Sequence, residues 1–145
     1  MGNIAQQFVG TWRQVSSVHH LADGTTRSNP IYGKGGVGYL IYTDVYRMCA
    51  MVMDPDRPQW KPGVAPTEAD VRAAFQGLTA YCGTYEVNAE QGIVVHHVEI
   101  DSVPSRVGTS QRRYFQFSGN RLVLRVDGPL PEGVVDYVIT WERVA

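Results

Sequence analysis

Several features are scarce in this 145-residue chain, and each scarcity excludes a class of protein. Two cysteines are too few for a disulfide framework, and Cys49 and Cys82 lack the close spacing of metal ligands, so we expect two free thiols. No apolar run approaches the roughly 20 residues that a membrane-spanning helix needs. The formal net charge of −1 gives no electrostatic reason to expect binding to nucleic acid or to an anionic membrane.

The beginning of the chain also lacks the common targeting signals. Residues 1–8 carry neither a basic region nor an apolar run, so we expect no signal peptide. Gln6 stands where an N-myristoylation signal requires serine or threonine. We therefore expect a cytoplasmic protein. Because there is no internal repeat or linker, we expect a single domain over residues 1–145.

What dominates the sequence is alternation of apolar and polar residues with a period of two, which predicts β-strands. The predicted strands cover residues 11–19, 37–43, 46–53, 82–88, 92–101, 111–118, 121–127 and 134–144. Turn-forming sequences such as Asp23-Gly24 and Ser118-Gly119-Asn120 separate several of them. Eight strands joined mostly by short reversals predict an all-β fold, an antiparallel up-and-down barrel, whose interior suits a small apolar ligand.

One segment departs from this alternation. Residues 66–78 place Val71, Ala74, Phe75 and Leu78 on one face of a short helix, and Thr67 is a suitable N-cap. Residues 54–66, which precede it, contain four prolines and therefore cannot form a central strand. We expect this loop and helix to cap one end of the barrel with Trp60 as a plug; the alternative is a surface connection with no gating role.

Two motifs resemble cofactor sites, but their context argues against that interpretation. Residues 33–38 match the glycine pattern of dinucleotide-binding loops, yet a β run follows them instead of the required helix. The two histidines of each adjacent pair, His19-His20 and His96-His97, cannot both coordinate the same metal ion, because successive residues of a strand point to opposite faces. We therefore predict neither a metal nor another cofactor.

Six segments carry a resemblance that covers nearly the whole chain. They are Phe8-Val-Gly-Thr-Trp12-Arg13, Gly38-Tyr-Leu-Ile-Tyr-Thr43, Tyr81-Cys-Gly-Thr-Tyr-Glu-Val87, Val95-His-His-Val-Glu99, Arg113-Tyr-Phe115 and Thr140-Trp-Glu-Arg143. In order and spacing they resemble the lipocalin-like domain family, relatives of the lipocalins among calycin-type barrels. One departure is Gln14, which stands where an apolar residue is expected.

The resemblance implies an eight-stranded barrel with a central cavity but leaves the activity open, since related barrels include carriers as well as cyclases and isomerases. It also implies that an arginine packs across the tryptophan at the closed end. By its position, Arg143 matches that arginine better than Arg113 does.

The alternation predicts which side chains face the barrel interior. In strand 92–101, Val94, His96, Val98 and Ile100 share the more apolar face, which we take as the inner one. A one-residue bulge would exchange the inner and outer sets and bring His97 and Glu99 inside instead. The other predicted inward residues are Met48, Ala50, Val52, Tyr85, Val87, Arg113, Phe115, Phe117, Leu122, Leu124 and Val126.

These positions predict a barrel that binds a small hydrophobic or aromatic metabolite. The candidate ligand-binding residues are Tyr42, Met48, Trp60, Tyr85, Val98, Phe115, Leu124 and Tyr137. The alternative is a cofactor-free cyclase, isomerase or lyase acting on a polyketide-, terpenoid- or phenylpropanoid-like substrate. In that enzyme His96 would be the catalytic acid or base and Arg113 the electrostatic stabiliser. A barrel filled by its own side chains is a third possibility, and pairing through an exposed face predicts a possible homodimer.

Overall fold

Strands form most of the protein in the computed structural model, which describes residues 3–145. The two α-helices are α1 (Ile4–Phe8) and α2 (Glu68–Gln76), and single 3-10 turns lie at Pro30–Tyr32 and Pro104–Arg106. The strands are β1 (Gly10–Leu21), β2 (Thr26–Ser28), β3 (Val37–Tyr42), β4 (Arg47–Met53), β5 (Leu78–Asn88), β6 (Ile93–Asp101), β7 (Ser110–Ser118), β8 (Arg121–Val126) and β9 (Val134–Arg143).

Eight of these strands close into an antiparallel barrel. The hydrogen-bonded order runs from β1 through β3 to β9, and β9 pairs back with β1 over a register that includes Trp12↔Arg143 and His19↔Tyr137. The predicted eight-stranded up-and-down barrel is therefore confirmed. The extra strand β2 pairs with the end of β1, and neither β2 nor α1 was predicted.

Side chains alternate between the inside and the outside of the barrel as the sequence pattern predicted. Burial in β3 and β4 alternates strictly, residue by residue. The inward prediction is confirmed for His96, Val94 and Val98 on β6, all of which are buried. It is also confirmed for the buried or half-buried residues Met48, Ala50, Val52, Tyr85, Val87, Phe115, Phe117, Leu122 and Leu124.

Ile100 is the exception on β6, since 69% of its surface is exposed. The β5–β6 register shifts at this point: Gly83 lies opposite Val98, whereas Cys82 lies opposite Ile100. The extra residue, Glu99, reverses the alternation beyond it. Gly83 permits the bulge, because a Cβ there would collide with the carbonyl oxygen of His97.

An aromatic cluster fills the closed end of the barrel. Trp12 Nε1 donates to the carbonyl oxygen of Phe8 at 2.8 Å, and the Phe8 ring meets Phe115 edge to face at a centroid distance of 5.0 Å. The Arg143 guanidinium lies 4.2 Å from the centre of the Trp12 ring and donates to the carbonyl oxygen of Val9 at 2.8 Å. The role that the resemblance implied for Arg143 is confirmed.

Helix α2 forms where predicted, but its apolar face is not buried. Thr67 and Asp70 form a reciprocal capping box, with hydrogen bonds of 3.1 and 3.0 Å. Val71 and Phe75 are nevertheless each about half exposed. The helix is fastened through its preceding loop instead, where Arg57 donates to the carbonyl oxygen of Ala74 at 3.0 Å. Among residues 3–145, the helices lack the length and apolar character needed to cross a membrane.

The prediction of two free thiols is wrong, because Cys49 and Cys82 form a disulfide. The two residues lie directly opposite each other on β4 and β5, with their Cα atoms 4.1 Å apart. Their separation of 33 residues along the chain hides this proximity, which only the strand register creates. Cys49 faces outward, so the disulfide lies on the outer surface of the barrel.

Candidate functional site: a cavity inside the barrel

A cavity of about 220 Å³ lies above the aromatic cluster. Part of its wall is apolar, formed by Leu40, Ala50, Val52, Leu124 and Ile139. It extends along β9 from Tyr137, near the open end, to Trp141, near the closed end. Four residues of strand correspond to roughly 13 Å, so the cavity is deep relative to its volume.

The structure divides the predicted site residues into two groups. His96, Arg113, Leu124 and Tyr137 line the cavity. The others do not line it, namely Tyr42, Met48, Trp60, Tyr85, Val98 and Phe115. Several of these pack around Phe8 at the closed end, because an inward-facing side chain low in the barrel fills space instead of lining it.

Trp60 does not plug the barrel. About half of its surface is exposed, and it lies beside Met53 and Ala74 on the outside. Residues 54–77 connect two strands at the open end, but none of them lines the cavity. The residues that line this end come from the two 3-10 turns, with Ile31 and Tyr32 from one and Arg106 from the other.

His96 lies between two tyrosine hydroxyls at the cavity wall. Tyr42 Oη is 2.6 Å from its Nε2 atom, and Tyr81 Oη is 2.8 Å from its Nδ1 atom. Burial, followed by the positive charge of Arg113 and the neighbouring imidazole of His97, lowers the pKa of His96 to about 3. The imidazole is therefore neutral at physiological pH, with one donor nitrogen and one acceptor nitrogen.

The direction of these two hydrogen bonds follows from the surroundings of Tyr42. This residue is buried, does not line the cavity, and has no hydrogen-bond partner except His96 among residues 3–145. Its hydroxyl must donate to Nε2, since the proton would otherwise be buried without an acceptor. Nδ1 then carries the ring proton and donates to Tyr81, which leaves the Tyr81 hydroxyl proton available to the cavity.

Arg113 brings a positive charge to the cavity. Its guanidinium donates to the carbonyl oxygen of Arg112 at 2.9 Å and to Gln111 Oε1 at 3.0 Å. None of the five ion pairs found in residues 3–145 includes Arg113. Arg106 also lines the cavity and is likewise outside these pairs. Two arginines without a carboxylate partner in this part of the chain favour electron-rich ligand atoms.

Two further lining residues, Gln14 and Trp141, were not predicted as site residues. Gln14 Nε2 and Trp141 Nε1 are both buried without a hydrogen-bond partner in the described chain. Leaving such a donor unpaired costs about 1–3 kcal/mol. The sequence held one signal, the polar Gln14 at a position where the family resemblance led us to expect an apolar residue. Trp141 carries no such signal in the sequence, because a tryptophan in the last strand of a barrel is expected to belong to the hydrophobic core.

Several uncharged polar side chains at the open end are already paired with each other. The Tyr137 hydroxyl accepts from Asn29 Nδ2 at 2.6 Å and lies 2.8 Å from the Ser17 hydroxyl. Tyr32 and Thr79 share a hydrogen bond of 2.6 Å. These contacts hold the side chains at the open end in place. Among residues 3–145 no group of three or more His, Cys, Asp or Glu side chains is arranged to hold a metal ion.

Closed eight-stranded barrels with an interior cavity are the architecture of the lipocalins. The chain matches the model of the lipocalin-like domain family over residues 9–144 and belongs to that family.

Proteins that resemble this chain include a curated relative and two solved structures. The relative is the 4'-hydroxy-3'-methoxypropiophenone carrier protein ppsC of Aspergillus oryzae, 29% identical over 107 residues, which are 67% of this chain and 96% of the relative. A lipocalin-like protein from Bacteroides uniformis is 13% identical, with 94% of this chain and 98% of that one covered and a TM-score of 0.49. A mutant of the fluorescent protein UnaG is 16% identical, with 98% and 99% covered and a TM-score of 0.45.

Proposed function

We propose that this protein is a carrier that binds a small aromatic molecule with oxygen acceptors inside its barrel. The observation that carries the proposal is the cavity of about 220 Å³, with apolar walls and a few buried donors. An engineered apolar cavity of about 150 Å³ in another protein holds benzene. A cavity somewhat larger than that suits one substituted aromatic ring.

The chemistry of a relative's ligand supports the same class of molecule. The similar protein from Aspergillus oryzae is named as a carrier of 4'-hydroxy-3'-methoxypropiophenone. That compound is a single aromatic ring with hydroxyl, methoxy and ketone oxygens. The available donors in this cavity are the Tyr81 hydroxyl, the free nitrogens of Gln14 and Trp141, and the guanidinium of Arg113, all of which complement such oxygens.

The geometry supports binding better than catalysis. An acid–base role for His96 needs a ring nitrogen that reaches the substrate, yet both nitrogens are engaged by Tyr42 and Tyr81. The cyclase, isomerase or lyase reaction therefore stays an alternative without a supporting contact. A cytoplasmic location, the possible homodimer and the lack of nucleic-acid binding also stay predictions.

Calorimetric titration with 4'-hydroxy-3'-methoxypropiophenone tests the proposal. We expect one molecule to bind per chain in the micromolar range, equivalent to roughly −8 kcal/mol. Replacing Arg113 by Met removes the cation that faces the ligand and should weaken binding about tenfold. Arg121→Met is the matched control, because Arg121 lies on the outer face of β8 and pairs with Glu142 at 3.7 Å.

Two results would contradict this function. One is the absence of saturable binding while the protein remains folded by circular dichroism. The other is recovery of a chemically altered compound by mass spectrometry after incubation, which would favour the enzyme alternative. Equal weakening by Arg113→Met and Arg121→Met would remove Arg113 from the site without affecting the function itself.

A further inference from the structure

We infer that the β1–β9 side of the cavity recognises a carbonyl oxygen of the ligand through Gln14 Nε2 and Trp141 Nε1. The inference rests on the proposed function, because it specifies which group of the ligand is bound and which residues bind it. Its two donors come from adjacent strands, β1 and β9.

The distribution of unpaired buried atoms singles out this pair. Five buried side-chain atoms lack a partner among residues 3–145, and three of them belong to His19, Asp101 and Ser102, which do not line the cavity. The other two are Gln14 Nε2 and Trp141 Nε1, and both residues line it. More than nine-tenths of each residue is buried. Buried donors are nearly always paired in folded proteins, so two neighbouring exceptions at a cavity indicate a missing acceptor.

The strand register places these two residues side by side, on the same face of the sheet. Gln14 lies directly opposite Trp141 in the β1–β9 pairing. Cβ atoms of directly opposed residues are about 4.5–5.5 Å apart, which allows both side chains to reach one atom between them. Immediately after Gln14 the register shifts, with Val15 as the extra residue, and bulges of this kind often redirect a side chain beside a site. Gly36 leaves room for the amide, since a Cβ there would lie 2.8 Å from Gln14 Nε2.

The chemistry of the pair selects a carbonyl. An indole nitrogen can only donate a hydrogen bond, so the ligand atom must accept. A carbonyl oxygen has two lone pairs and no proton of its own, so it can satisfy both donors. A hydroxyl oxygen would bring a further proton that needs an acceptor. Both donors are uncharged, so a neutral acceptor such as a ketone oxygen suits them.

Two probes that differ only in the carbonyl test this inference. Propiophenone and n-propylbenzene are titrated into the unchanged protein and into Gln14→Leu and Trp141→Phe. We expect the unchanged protein to bind propiophenone at least tenfold more tightly. In either variant this preference should fall towards one, while the affinity for propylbenzene changes little. Gln116→Leu, on the exposed outer face of β7, is the matched control and should keep the full preference.

The indole N–H signals in an NMR spectrum of the ¹⁵N-labelled protein give a second readout. This readout uses only the unchanged protein, so it is unaffected if a variant fails to fold. Trp12 is already bonded to Phe8, and Trp60 lies outside, so these two serve as internal references. Propiophenone should move the Trp141 signal downfield, as expected for a new hydrogen bond, and propylbenzene should not.

The outcomes separate the two proposals. If both probes bind but the preference persists in Gln14→Leu, or the Trp141 signal responds equally to both, the carbonyl site is wrong and the carrier function stands. If neither of the two probes binds, and 4'-hydroxy-3'-methoxypropiophenone does not bind either, the proposed function fails and this inference fails with it.

Discussion

At the scale of single residues, His96 is the most informative side chain. It is a polar group in the core, and each of its nitrogens is bonded to a tyrosine hydroxyl. Such a chain of hydrogen bonds is stabilising only while every member is satisfied. Its practical effect is to orient Tyr81 so that the hydroxyl proton points towards the cavity, which makes His96 a positioning residue of the proposed ligand site.

The neutrality of His96 predicts a specific pH dependence of stability. Its pKa is lowered to about 3 in the folded protein, whereas an unfolded chain titrates near 6.5. Between these values the unfolded state binds more protons, so the free energy of unfolding should fall as the pH falls, by up to about 1.4 kcal/mol per pH unit. Urea denaturation at a series of pH values from 7 downwards measures this slope.

The variant His96→Gln isolates this contribution. A carboxamide can still hydrogen-bond to both tyrosines but does not titrate, so the difference between the two proteins should shrink as the pH falls through this window. His19, whose pKa is also lowered by burial, then by Arg27, contributes the same background to both. Parallel pH profiles for the two proteins would show that His96 is not the group responsible.

At the scale of elements, strand order and inward positions follow from period-two alternation, as the strictly alternating β3 and β4 show. What the pattern does not contain is a change of register. The bulge beside Gly83 turns Ile100 outward, and the depth of a residue within the barrel decides whether it lines the cavity, as Phe115 shows by packing on Phe8. The pattern within one strand also does not show which residues of two strands lie opposite each other. For that reason the disulfide and the Gln14–Trp141 pair were not predicted from the sequence.

Helix α1 and β9 close the lower end of the barrel through Arg143. The guanidinium stacks on Trp12 and donates to two carbonyl oxygens, those of Gln7 and Val9. Arg143→Met should keep much of the packing but lose the charge and both hydrogen bonds, which lowers the free energy of unfolding by about 1–3 kcal/mol. Chemical denaturation measures the loss. Ligand affinity should be unchanged, because Arg143 does not line the cavity.

Arg113→Met provides the opposite control, since it should weaken binding while changing stability little. If Arg143→Met instead abolished binding in a protein of unchanged stability, the separation between a structural end and a ligand-binding end would be wrong.

At the scale of the whole molecule, a covalent bond across β4 and β5 supplements the hydrogen-bonded barrel. Four of the five ion pairs found in residues 3–145 lie at the surface and have arginine as the cation. Exposed pairs of this kind each contribute little to stability. The Cys49–Cys82 bond is the stronger constraint, because it closes a loop across 33 residues that includes the proline-rich segment and α2.

Reduction of this disulfide should lower the free energy of unfolding by about 2–4 kcal/mol, since the unfolded chain gains the entropy of an open loop. Urea midpoints with and without a phosphine reductant measure the change. The doubly substituted Cys49→Ser, Cys82→Ser protein should be insensitive to the reductant, and ligand affinity should not change in either protein. Identical midpoints for the oxidised and reduced natural protein would contradict the expectation.

The extra strand β2 has a consequence for self-association. In the described part of the chain, it is the one strand with a hydrogen-bonded neighbour on a single side. It is three residues long, each of them exposed, and Arg27 lies at its centre. Short, charged edges are poor templates for adding a strand from another molecule. A carrier of the kind proposed above must stay dispersed at the concentration of its ligand, and this short edge strand is a poor nucleus for the growth of fibrils.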